Sequence, residues 1–94
     1  MKLVWSKAAI HDLDEIAIYI AAESERDAEF VETRIQQEAQ LLSRFPRSGR
    51  LGRVLGTRER VVGRTPFILV YRIVLAQVRI LRVFRGARKW PVRL

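Results

Sequence analysis

The feature that most constrains this chain is a change of hydrophobic period at Pro46. Before it, apolar residues recur at helical spacing, first as Ile10, Leu13, Ile16, Ala17 and Ile20, then as Ala28, Val31, Ile35, Ala39 and Leu42. Each series puts one apolar stripe on a helix and turns that stripe toward a core. After Pro46 the pattern is that of strands, above all in Phe67–Val74, which is nearly all apolar and rich in β-branched residues. Helices followed by a run of strands describe an α+β domain rather than alternating βαβ units.

Local signals set the boundaries. Lys2–Trp5 reads as a short first strand, and Ser6 can cap a helix over Lys7–Ala22 because its hydroxyl accepts from an orphan N–H of the first turn. Asp12, Asp14 and Glu15 are expected to point away from the stripe. Ser24 opens a second helix, with Asp27 three residues on in a variant capping box, and Pro46 ends it. The short link Glu23–Glu25 makes the two helices an antiparallel hairpin. Arg47–Thr57 carries three glycines and reads as a loop; it lacks the GxxxxGK[ST] pattern of a phosphate cradle. Arg58–Val62, Phe67–Val74 and Gln77–Phe84 read as an antiparallel meander, although Leu75–Ala76 suits a tight turn poorly. The expected architecture is therefore an N-terminal strand and a two-helix hairpin packed on one face of a curled, mainly antiparallel sheet of about four strands. At 94 residues this is one domain.

Charge divides the chain at nearly the same place. Residues 1–43 hold 4 basic and 9 acidic side chains; residues 44–94 hold 14 basic and 1 acidic, for a net +8. Of the 18 basic residues 15 are arginine. Guanidinium is planar, bidentate and weakly hydrated, which suits contacts with carboxylate or phosphate. Because an unpaired buried arginine is costly, the basic residues of 58–88 are expected on the sheet face that the helices leave open, or at its rim. Tyr19, Phe30 and Leu41 fall off the main helical stripes and are candidates for an apolar groove that a partner fills. The chain has no cysteine, so disulfides and thiolate metal sites are excluded; His11 is the sole histidine and the acids lie on helix faces, so no metal or cofactor is expected. The longest apolar run, Pro66–Tyr71, is too short for a membrane span, and acids appear too early for a signal peptide, so a cytoplasmic protein is expected.

An ordered set of residues then stands out: Trp5–Ser6; Ala9, Asp12, Leu13, Ile16 and Tyr19–Ile20; Phe45–Pro46; Gly49–Arg50; Arg58–Glu59; Tyr71–Arg72–Ile73; and Ile80–Leu81–Arg82–Val83–Phe84–Arg85–Gly86–Ala87–Arg88–Lys89–Trp90–Pro91. Over residues 2–91 this set resembles the ParE branch of the RelE/ParE toxin superfamily. The resemblance implies the toxic component of a type II toxin–antitoxin system, of the kind that stabilises plasmids. It also implies a cognate antitoxin, ParD-like with a ribbon-helix-helix DNA-binding part, and inhibition of DNA gyrase as the toxic act. The alternative within the superfamily is a RelE-like, ribosome-dependent mRNA endonuclease. Where the family often has a histidine in its final motif, this chain has Arg85.

The residues favour binding over cutting. RNA cleavage through the 2′-hydroxyl needs a base, an acid and a group that stabilises the pentavalent phosphate. His11 sits among acids on the first helix, Glu59 is flanked by Arg58 and Arg60 and is expected to pair with one of them, and Tyr71 lies in the apolar central strand. Arginine stays protonated and is a poor acid or base. A plain nucleic-acid binder is disfavoured because few aromatics interleave the basic strands. Arg58, Arg60, Arg82, Arg85, Arg88 and Trp90 are the expected contacts for target or antitoxin, since Arg and Trp are favoured interface anchors. The antitoxin segment is expected to be acidic and amphipathic.

Overall fold

The computed structural model describes residues 1–87, 89, 90 and 94. Its elements run β1 (Lys2–Trp5), α1 (Lys7–Ala21), α2 (Glu25–Arg44), β2 (Arg50–Leu51), β3 (Arg58–Val61), β4 (Phe67–Val74) and β5 (Gln77–Arg85). The sheet has five strands in the order β1-β5-β4-β3-β2. β1 runs parallel to β5 and every other pairing is antiparallel. The α+β architecture matches the expectation, with one strand more than the period indicated. β2 is only two residues long between glycine-containing turns, too short to leave a period in the sequence, and it forms by pairing Arg50 with Glu59 and Leu51 with Arg58.

Both helices start where a serine can cap them. The Ser6 hydroxyl accepts from the Ala9 N–H at 3.0 Å and the Ser24 hydroxyl accepts from Asp27 N–H at 3.1 Å. The core lies between the helices and the face of the sheet that carries Phe67, Leu69 and Tyr71 of β4 with Val78, Ile80 and Val83 of β5. From the helices come Ala9, Val31, Ile35, Ala39 and Leu42, with Leu13, Ile16 and Ile20 packed at the edge. Ile10 departs from the expected stripe: it is exposed while its neighbour Ala9 is fully buried, because only a small side chain fits where α1 lies against the sheet.

The second sheet face is less open than expected. Side chains alternate along a strand, so Ile68, Val70, Phe84 and Glu59 point away from the helices, yet all four are buried. Trp90 packs on Phe84, with ring centroids 5.1 Å apart, and the Arg53 guanidinium lies 3.6 Å over the Trp90 ring. The segment after β2 and the chain after β5 thus meet over this face.

Two turns carry backbone that the sequence does not advertise. The β4–β5 hairpin closes on Leu75 and Ala76 at φ 49° and 60°. Both central residues are left-handed, as in a type I′ turn, where Asn-Gly would be the low-strain choice. The second is the approach of Gly49 to Tyr71. The Tyr71 hydroxyl donates to Pro46 O at 2.7 Å and accepts from Gly49 N–H at 3.0 Å. These bonds pin the chain between α2 and β2 onto the core, and burial raises the phenol's pKa against the opposing effect of the Gly49 N–H.

Candidate functional site

Three carboxylates, two from the acidic helices and one from the sheet itself, bind the basic half of the chain and decide which arginines are free. Asp12 of α1 takes a two-pronged hydrogen bond from Arg82, Nε at 2.7 Å and Nη2 at 2.9 Å, and also accepts from the Val83 N–H at 2.9 Å. It therefore points at the sheet, not away from it as expected. The reason is the end of β1: its pairing with β5 stops at Trp5 and Ile80, so the Val83 N–H beyond it meets Asp12 in place of a strand, beside a bulge that leaves Leu81 extra between the Tyr71–Ile80 and Val70–Arg82 pairs. Ser6 serves the same bulge, its hydroxyl donating to Leu81 O at 2.9 Å. The hydrogen bonds to Asp12 hold Arg82 more firmly protonated than a free guanidinium.

Glu38 of α2 is the second. It accepts from Arg34 at 2.9 Å and from Arg60 of β3 at 2.7 Å. Burial pushes its carboxyl pKa up, but the two arginine bonds and charges outweigh this and leave it below 4.5. A lowered folded-state pKa means stability that is complete above the unfolded value and is lost as pH falls through the folded one. We expect the urea midpoint to fall as the pH drops below 4.5, and Glu38→Gln to flatten that part of the profile.

Glu59 is the third. It is buried and accepts from Arg50 Nη2 at 3.0 Å and from the Arg53 N–H at 2.7 Å. This corrects the expectation that Arg58 or Arg60 would pair with it. Strand alternation turns those two neighbours to the opposite face, where Arg58 aligns with Tyr71 and Arg60 with Leu69.

The expected contact residues are therefore not brought together on one open face. Arg58 donates to Gly49 O at 2.9 Å, Arg60 is held by Glu38, and both project from the helix-covered side. Arg82 is clasped by Asp12. Arg85 is exposed at the end of β5, its guanidinium 5.4 Å over the Phe67 ring. Trp90 is partly exposed and donates from its indole N–H to Arg85 O at 3.3 Å. Arg88 lies outside the described residues. Of the groove candidates, Tyr19 is 74% exposed and lines a cleft of about 590 Å³ between α1 and β5, together with Ile16, Phe67, Arg82 and Arg85. Leu41 lines a separate hollow on the outer side of α2, and Phe30 lies under Arg64, 4.9 Å from guanidinium to ring.

The groups that could move a proton are mostly committed. Glu59 and the Tyr71 hydroxyl are buried in hydrogen bonds, and His11 is solvent-exposed beside Glu15 on α1 at 3.7 Å. Among the described residues no group of acids and histidines could hold a metal ion, and no helix is long and apolar enough to cross a membrane.

Comparison with known proteins agrees on one family. Residues 3–90 match the family model described as the ParE toxin of type II toxin–antitoxin system, parDE. A Sinorhizobium fredii protein named "Putative toxin Y4kP" is 38% identical over 90 residues, 96% of this chain and 93% of that protein. A solved structure described as a chromosomal ParDE TA system from P. aeruginosa superposes with a TM-score of 0.80 at 28% identity, covering 90% of this chain and 95% of that one.

Proposed function

This chain belongs to the ParE toxins of type II parDE toxin–antitoxin systems, and we propose that it acts by occupying a protein target, DNA gyrase, rather than by cutting a substrate. One observation carries this reading. Apart from the exposed His11 on α1, the residues that would serve as acid, base or phosphate clamp in a nuclease are engaged in holding the fold: Glu59 with Arg50, Glu38 with Arg60, Asp12 with Arg82, and Tyr71 with Pro46 and Gly49. A base must keep a free lone pair within reach of its proton, and an acid must release its own. These groups are spent on other partners.

A cognate antitoxin completes the system, as in the ParDE assembly of the structural relative. The cleft between α1 and β5 supports a place for it. Tyr19 and Ile16 supply apolar wall and Arg85 supplies a cation not paired with a carboxylate among the described residues. An amphipathic segment with an acidic edge fits that lining. Reversing the charge of Arg85 tests the contact cleanly; reversing Arg82 does not, since it would also break the Asp12 clasp.

The distinguishing experiment runs two assays on one preparation. Purified gyrase should lose supercoiling activity as toxin is added, and primer extension on a translated message should show no new cuts. Codon-phased cuts with unimpaired gyrase would replace this reading with the RelE-like one.

A further inference from the structure

Opposite the Tyr19 cleft, the sheet ends in two hairpins, β2–β3 and β4–β5, that together expose three leucines. The cleft lies at the Phe67–Arg85 end of the β4–β5 ladder; the loops lie at its Val74–Gln77 end. Leu51 is 79% exposed, Leu55 94% and Leu75 88%. Leu51, Leu55 and Ile73 line one shallow hollow there, and Arg72 of β4 ties the β2–β3 loop to the neighbouring hairpin by donating to Gly56 O at 3.2 Å. Scattered exposed leucines need no explanation, but three carried at the ends of adjoining hairpins do.

Two further observations point to a partner. Arg72 and Arg79 are directly opposed across β4 and β5, a like-charge pair that disfavours the sheet, and neither is ion-paired among the described residues. The tip that presents Leu75 is also the strained one, with both central residues in the left-handed region. Strain of this kind persists where the surrounding structure enforces it and clusters at functional positions. A leucine-bearing tip kept at that cost, next to uncompensated arginines, serves neither stability nor solubility.

We infer that this leucine–arginine end is the surface that grips the toxin's protein target, which presents a small apolar recess bordered by carboxylates. It is separate from the cleft assigned to the antitoxin. A protein fits better than a nucleic acid because leucine offers no ring for a base to stack on. With the target taken as gyrase, the inference rests on the reading above, and the test keeps the two apart.

Three forms of the β4–β5 turn are compared in the full chain: parent, Ala76→Gly, and Leu75→Asn/Ala76→Gly. The replacements suit the turn, so both variants should fold with Tm at or above the parent's. Ala76→Gly should arrest growth and inhibit purified gyrase as the parent does. Leu75→Asn/Ala76→Gly should lose about 30-fold in both, the loss of one interface anchor. Its affinity for the antitoxin should stay within about threefold, as for a surface change outside the interface. Leu55→Glu, in a separate loop, should reproduce the loss.

The inference is overturned if Leu75→Asn/Ala76→Gly and Leu55→Glu are as toxic as the parent. It is overturned equally if they lose antitoxin affinity while staying toxic, or if they only dissociate a self-associated parent. Codon-phased message cuts lost in step with toxicity would also overturn it, by making the surface an RNA contact. If the parent arrests growth without touching gyrase, the gyrase reading fails. Growth arrest then decides the inference alone, and loss in both variants sustains a different protein target.

Discussion

Asp12→Ala should lower stability by about 3 kcal/mol, a drop in Tm of roughly 12–24 °C for a domain of this size. The substitution removes one side chain but strands two donors. Arg82 keeps its charge in a position only about a quarter exposed, and the Val83 N–H, which lies beyond the last β1–β5 pair, loses its acceptor. Leaving a partly buried charge and an amide unpaired costs far more than the net worth of the bonds they made. Two companions separate these contributions. Asp12→Asn keeps an acceptor and should cost less. Asp12→Leu with Arg82→Met removes donor and acceptor together and should recover part of the loss. Thermal melts of all three variants measure the ordering; a double variant less stable than Asp12→Ala would contradict the account.

Gly49→Ala is the second large effect. A methyl group built there would sit 2.5 Å from the Tyr71 hydroxyl and 2.7 Å from the Glu59 carbonyl oxygen. Neither can withdraw freely, since Tyr71 is fully buried and the carbonyl belongs to the β3 backbone. Overpacking and disturbance of the bonds around the hydroxyl sum to about 3 kcal/mol. Tyr71→Phe deletes the nearer obstacle and should partly rescue Gly49→Ala, giving a coupling that a double-mutant cycle of urea midpoints would reveal. Strict additivity would show that the close approach is not the cause.

The fold was legible because its elements carry strong local signals. Ser6 and Ser24 mark helix starts, Pro46 marks the end of α2, and the apolar run of β4 is recovered without error as Phe67–Val74. β2 escaped because two residues hold no period, and its strand exists only through pairing with β3. The site was harder to read because charge pairing is a long-range property. Asp12 and Arg82 are 70 residues apart, and nothing near Asp12 distinguishes it from the exposed acids Asp14 and Glu15. Two hints were available: its place beside Ala9, the small residue on the helix line that touches the sheet, and its presence with Arg82 in the ordered set that carries the family resemblance. Charge alone points Arg58 and Arg60 to an open face. Counting strand register from Leu69 and Tyr71 would have placed them on the helix side, and Glu59 on the other.

Among the described residues, two groups of arginines in the basic half play different parts. One part stitches the sheet to the acidic helices and to its own loops through Asp12, Glu38 and Glu59. The other, Arg72, Arg79 and Arg85, stays available at the two ends of the β4–β5 ladder. The central claim is that toxicity comes from occupancy and not from turnover. The direct measurement is gyrase supercoiling activity against toxin concentration and time, with gyrase held fixed. Occupancy predicts inhibition that is set by toxin concentration, levels off at a fixed ratio of toxin to gyrase, and does not deepen on longer incubation. Progressive inactivation at toxin far below the gyrase concentration, or no inhibition at any ratio, would contradict it.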